Sequence, residues 1–133
     1  MFFRSKQKLQ NRENADRIYT RIVDASRQPV FFLKYGIADT LDGRFEMLSL
    51  HMFLGLNRLV EGSAEDKALA QRVMELFVRD MDAALRDIGV SDVKVPRRMK
   101  TLYGSFGGRI ASYTAAVATG GEALNEALAR NVF

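Results

Sequence analysis

Between Asp39 and Val60 the chain carries two apolar stripes at helical spacing, and no other feature restricts its fold as much. Leu41, Phe45, Leu48, Met52, Leu56 and Leu59 recur at steps of three or four residues and share one face of a helix. Met47, Leu50 and Leu54 form a second stripe on another face. A helix that is apolar on two faces must be wrapped by neighbours, so this segment is expected to be the central helix of a bundle. Asp39 or Thr40 supplies the N-cap, Asp42 places a negative charge in the first turn, and Gly62 ends the segment.

The rest of the chain supplies the wrapping. Ile18, Tyr19, Ile22 and Val23 predict a helix from Asn14 to Arg27, which Pro29 stops because it biases Gln28 away from helical angles. An aromatic stretch with Phe31, Phe32 and Tyr35 follows and ends at Gly36. Ser63 caps the next helix with Asp66 at the capping-box position. Leu69, Val73, Leu76, Phe77, Met81, Leu85 and Ile88 form its apolar face, and Gly89 closes it. After the linker VSDVKV, Pro96 opens a helix with the stripe Met99, Leu102, Tyr103, Phe106, Ile110, Tyr113 and Val117. Gly104, Gly107 and Gly108 lie inside it, each costing about 1 kcal/mol against alanine. Their presence implies a close-packed neighbour or a deliberate weak point. Gly120 and Gly121 break the chain before a last helix, Glu122 to Arg130. With no strand pair and no internal repeat, the expectation is an all-α, single-domain bundle of about five helices over residues 14–133, preceded by a flexible basic tail over residues 1–13. In that tail, Phe2 and Phe3 beside Arg4, Lys6 and Lys8 suit either a disordered terminus or contact with an anionic lipid surface.

Composition narrows the chemistry. The 133 residues include no cysteine and one histidine, His51, so disulfides and Cys/His zinc sites are excluded. The net charge of +4 permits attraction to nucleic acid, a ribosome or an anionic membrane without requiring any of them. No apolar run approaches the roughly 20 residues that cross a bilayer, and MFFRSKQKLQ does not read as a secretory signal. A cytoplasmic location follows as the expectation, with peripheral contact at the inner face of the membrane.

No catalytic constellation emerges. There is no Gly-x-Ser-x-Gly elbow, and GSFGGR at 104–109 lacks the Lys and Ser/Thr of a phosphate loop. Arg44, His51 and Arg58 are spaced by seven, which places them along one side of the central helix as a solvated basic edge or a groove for an acidic partner residue. A general base at His51 lacks a nameable second group. Asp80 falls where its helix should be apolar, and a carboxylate there needs a mate, with Arg109 or Arg44 the candidates. Arg97, Arg98 and Lys100 follow Pro96, where positive charge opposes the helix dipole, so they are solvated or serve a phosphate or an acidic partner.

Three blocks taken together carry a resemblance: RQPVFFLKYGIADTLDGRFEMLSLHMFLGLNRL, FVRDMDAALRDIGVSD and VPRRMKTLYGSFGGRIASY. In order and spacing they resemble the ubiquinol–cytochrome c chaperone family, over roughly Ile18 to Tyr113. The motif residues Asp42, Gly43, Phe45, Asp80, Asp82, Pro96 and Arg109 stand at matching positions and are expected to be structural. One departure is the run Phe106-Gly107-Gly108-Arg109, where an aromatic before Gly-Arg is the family pattern. Mitochondrial relatives also carry an amino-terminal extension with a membrane anchor that this sequence is expected to lack.

The resemblance implies an assembly factor for respiratory complex III with no enzymatic activity and no cofactor. Its client would be nascent or unassembled cytochrome b, with a ribosome and a small co-chaperone as further partners. A general RNA- or ribosome-binding helical module is the alternative. For a client-binding surface the apolar candidates are Phe31, Phe32 and Tyr35. Phe31 or Phe32 is expected to be buried, with its neighbour and Tyr35 rimming a groove. The basic candidates are Arg44, His51, Arg58, Arg97, Arg98 and Lys100. Met47, Met52 and Met81 would serve as adaptable surface or as core filling.

Overall fold

The computed structural model describes residues 2–133, with side chains from Phe3 onward. Among them are six helices and no strand: α1 Phe2–Ser26, α2 Pro29–Leu33, α3 Leu41–Leu56, α4 Ala64–Asp87, α5 Val95–Thr119 and α6 Glu122–Asn131. The all-α class is as the apolar periodicity requires. Helix α1 begins well before Asn14 and runs through the stretch expected as a tail. Phe3 is exposed there, whereas the Phe2 side chain, the other half of the lipid-contact expectation, lies outside the described residues. Among the described residues no helix is long and apolar enough to cross a membrane.

The chain divides into two compact units, one formed by the chain up to Arg21 with Gly55–Tyr103, the other by Ile22–Leu54 with Gly104–Phe133. In the first unit α4 is delimited at both ends by local chemistry. The Ser63 hydroxyl accepts from the Asp66 amide at 3.1 Å, and the Asp66 carboxylate accepts from the Ser63 amide at 3.2 Å, which completes the capping box. At the other end Gly89 adopts φ 94°, the Val90 amide donates to Leu85 and the Gly89 amide to Arg86, a Schellman closure that only glycine enters without strain. Leu69, Val73, Leu76, Phe77, Met81 and Leu85 are buried as the stripe predicts; Ile88, at the C-cap, is exposed.

Arg86 holds the turn beyond this end. Its Nε donates to Asp82 at 2.7 Å and its Nη1 to Asp92, so the DMD and GVSD motifs meet on one guanidinium. Hydrogen bonding to Asp82 raises the Arg86 pKa, with the Asp82 charge adding to it.

The second unit is organised on α3. From Phe45 to Phe53 every side chain is buried or half-buried, as a wrapped central helix demands. The Phe53 and Tyr113 rings lie 5.6 Å apart at 46°, and Ala116 and Ala127 complete a buried cluster against which Leu50, Ile110, Ala123, Leu124 and Leu128 pack. Small alanines on α5 and α6 let these helices approach the aromatic pair. Met47 and Met52 are buried here, and Met81 in the first unit, so all three are core filling.

Helix α3 starts at its Thr40 cap, whose hydroxyl accepts from the Gly43 amide at 3.1 Å. A Cβ at Gly43 would land on the Ala38 carbonyl oxygen, which accounts for the glycine of DGRF. The helix ends at Leu56 instead of Val60, because the Leu59 and Val60 amides both turn back onto the Leu56 carbonyl.

The glycines of α5 do not mark a tight contact. A Cβ at Gly104, Gly107 or Gly108 would meet nothing within 4 Å, so the expected close-packed neighbour is absent at all three. Tyr103 and Val117, read as core, are exposed.

Candidate partner-binding surface

Pro29 fixes the geometry from which the aromatic segment departs. Gln28 is extended at ψ 127°, and Pro29 then opens α2, where its missing amide hydrogen costs nothing. The five-residue helix is closed by Lys34 and Tyr35 amides that both donate to the Val30 carbonyl. The Ile37 amide donates to Phe31, Gly36 supplies the left-handed turn at φ 75°, and Ile37 is buried as the anchor.

No residue of α2 is buried. Phe31 and Phe32 are both half-buried, which corrects the expectation that one of them is sealed inside. Phe31 sets its ring against His51 at 5.5 Å and 62° and lies 6.3 Å from Tyr35. Tyr35 is 53% exposed and Leu33 86% exposed, with Val30 also outward. Five residues of one short segment thus leave apolar area in water. Each fully buried side chain of this size would contribute about 1.5–3 kcal/mol, so the fold forgoes a favourable term here. Leu33 and Val30 carry no signal in the sequence, because a five-residue helix is too short to show which of its aliphatic residues face outward.

One ring nitrogen of His51 is tied to the backbone. Its Nδ1 lies 2.8 Å from the Met47 carbonyl oxygen, and since a carbonyl only accepts, Nδ1 carries the proton. The ring is a half-buried support for Phe31. The basic row expected along α3 does not form. Arg44 is exposed and bound through Nε to Asp39 at 2.7 Å, a hydrogen bond that raises its pKa. Arg58 lies beyond the end of α3, in the turn after Leu56, and belongs to the other compact unit. Arg97, Arg98 and Lys100 are exposed in the first turns of α5 and form no ion pair among the described residues.

The expected mate for Asp80 is also corrected. Asp80 is exposed, Arg44 is bound to Asp39, and Arg109 makes a two-pronged bond to Glu46. Its Nε donates to Oε2 and its Nη2 to Oε1, both at 2.8 Å. The hydrogen bond to Glu46 raises the Arg109 pKa. Tyr113, one turn further along α5, is pushed up by burial first and by the Glu46 charge second. Glu46 directly follows DGRF, yet nothing in the local sequence announces a partner 63 residues away. Asp42 is exposed in the first turn of α3, Phe45 is half-buried, and Pro96 is exposed in the first turn of α5.

The described residues thus leave an apolar segment around α2 and a set of cations at the start of α5 uncovered. The family model described as Ubiquinol-cytochrome C chaperone matches residues 33–133, and the chain belongs to that family. It is similar to the Cbp3 homolog from Brucella abortus, whose crystal structure aligns with a TM-score of 0.85 at 41% identity over 98% of this chain and 74% of that one. No curated protein matches.

Proposed function

We propose that this protein is an assembly chaperone for the respiratory cytochrome bc complex, that it holds newly made cytochrome b at the ribosome or membrane surface, and that it performs no catalysis. The observation that carries the reading is α2, none of whose apolar side chains is fully buried and two of which, Val30 and Leu33, are exposed. Phe31, Phe32 and Tyr35, joined by Leu33 and Val30, form the seat for an apolar client segment. Membership of a chaperone family supports the same conclusion. A photo-crosslinking residue at Tyr35 should capture cytochrome b or its ribosome-bound nascent chain in cells, and deletion of the gene should lower the level of the bc complex. Failure of both would overturn the proposal.

The alternative, a general RNA- or ribosome-binding module, is favoured by the uncovered cations Arg97, Arg98 and Lys100. Binding to phosphate falls steeply with salt, whereas capture of an apolar client does not, so a salt titration of the Tyr35 crosslink separates the two. A His51→Ala variant should still complement a deletion strain at least in part, because it loosens the support of Phe31 without removing any residue of the proposed α2 seat.

A further inference from the structure

A second surface lies in the other compact unit, away from α2 in sequence and unused by the reading above. Gln71, Met74, Glu75, Val78, Arg79 and Tyr103 line an open groove of about 380 Å³ along α4. Its two rows follow the helix. Gln71, Glu75 and Arg79 succeed one another at intervals of four residues on the outer edge, and Met74 and Val78, half-buried, form the apolar floor. The span from Gln71 to Arg79 is about 12 Å, or two turns. Tyr103 forms the opposite wall and is 55% exposed, although its spacing on α5 places it in a core stripe. A row of side chains beside a two-turn apolar furrow is the shape into which a ridge of another helix packs.

The charge around the groove selects the partner. Arg79 is on the rim, Lys100 lies one turn before Tyr103 on α5, and Lys94, Arg97 and Arg98 crowd the start of that helix. All are exposed, and none forms an ion pair among the described residues. Lys94, Arg97 and Arg98 stand at the end of α5 where the helix dipole is already positive, so they raise the local potential instead of cancelling it. The groove's one carboxylate, Glu75, faces Arg72 at 3.4 Å. We infer that this groove docks an acidic amphipathic helix of a partner protein, with its apolar ridge on Met74, Val78 and Tyr103 and its carboxylates toward Arg79 and Lys100. Aromatic and methionine contacts surrounded by unpaired cations suit such a helix better than a nucleic acid, which would need more than one exposed ring for stacking.

The test uses the full chain and fluorescence anisotropy of labelled peptides. The probe is a helical peptide with leucine at i, i+3, i+4 and i+7 and glutamate on its remaining face, compared with a lysine-for-glutamate version, a serine-for-leucine version and a single-stranded oligonucleotide. The acidic amphipathic peptide should bind at least roughly tenfold more tightly than either altered peptide. Tyr103→Ser and Arg79→Glu should each weaken it several-fold with the helical circular dichroism unchanged, since both side chains are exposed. The proposal is overturned if the peptides bind alike or not at all, or if Leu33→Ser abolishes binding while Tyr103→Ser does not. It is equally overturned if the oligonucleotide binds as tightly as the acidic peptide with Tyr103 dispensable, which would assign the cations to phosphate.

Discussion

Gly43 and Tyr113 show how single positions constrain the second unit. At Gly43 a methyl group has no room beside the Ala38 carbonyl oxygen, so Gly43→Ala must displace the start of α3. Its intrinsic gain in helix propensity, about 1 kcal/mol, is outweighed by strain, and the variant should unfold at lower urea with a loss of about 1–3 kcal/mol. Tyr113 acts through ionisation. Burial raises its pKa above the ordinary tyrosine value near 10, so the folded state keeps the proton that the unfolded chain releases. The resulting stability is whole below about pH 10 and is lost as pH climbs through the raised value. Urea midpoints measured at neutral pH and above pH 10 should therefore diverge, and Tyr113→Phe should reduce that divergence. An equal loss in the variant would place the alkaline sensitivity elsewhere.

At the scale of the element, what could be read in advance depended on how local the determinant was. The Ser63–Asp66 capping box and the Gly89 closure act within a few residues, and both stand where the sequence puts them. The end of α3 was misplaced because the apolar stripe continues to Leu59 although the backbone turns at Leu56. Helix α2 is not foreseen within the aromatic stretch because five residues are too few to show a period. Helix α5 gives the sharpest test at this scale. Gly104, Gly107 and Gly108 are exposed and crowd nothing, so replacing each with alanine should stabilise the helix by up to about 1 kcal/mol, seen as a raised thermal midpoint. A drop would mean that the glycines relieve a contact the chain makes in its folded form.

Across the whole molecule, the buried stripes of α3 and α4 made the helical class readable, whereas the pairing of charges was not. Glu46 and Arg109 meet across 63 residues, so the partner of Arg109 depends on how α3 and α5 are placed, which no local spacing encodes. The client seat proposed on α2 was half legible for the same reason: Phe31, Phe32 and Tyr35 stand out by type, but their exposure depends on the turn between Pro29 and Ile37. That exposure separates stability from function in a measurable way. Leu33 and Tyr35 contribute little to the core, so the double replacement Leu33→Ser, Tyr35→Ser should change the unfolding free energy measured in urea by no more than about 0.5 kcal/mol per replacement, the range of ordinary surface changes. If α2 holds an apolar client, the same protein should fail to restore the bc complex in a deletion strain while accumulating at normal levels. The defect should persist when salt is raised in binding assays, because apolar burial is not screened as charge contacts are. Full complementation by a stably folded double variant would remove α2 from the client site.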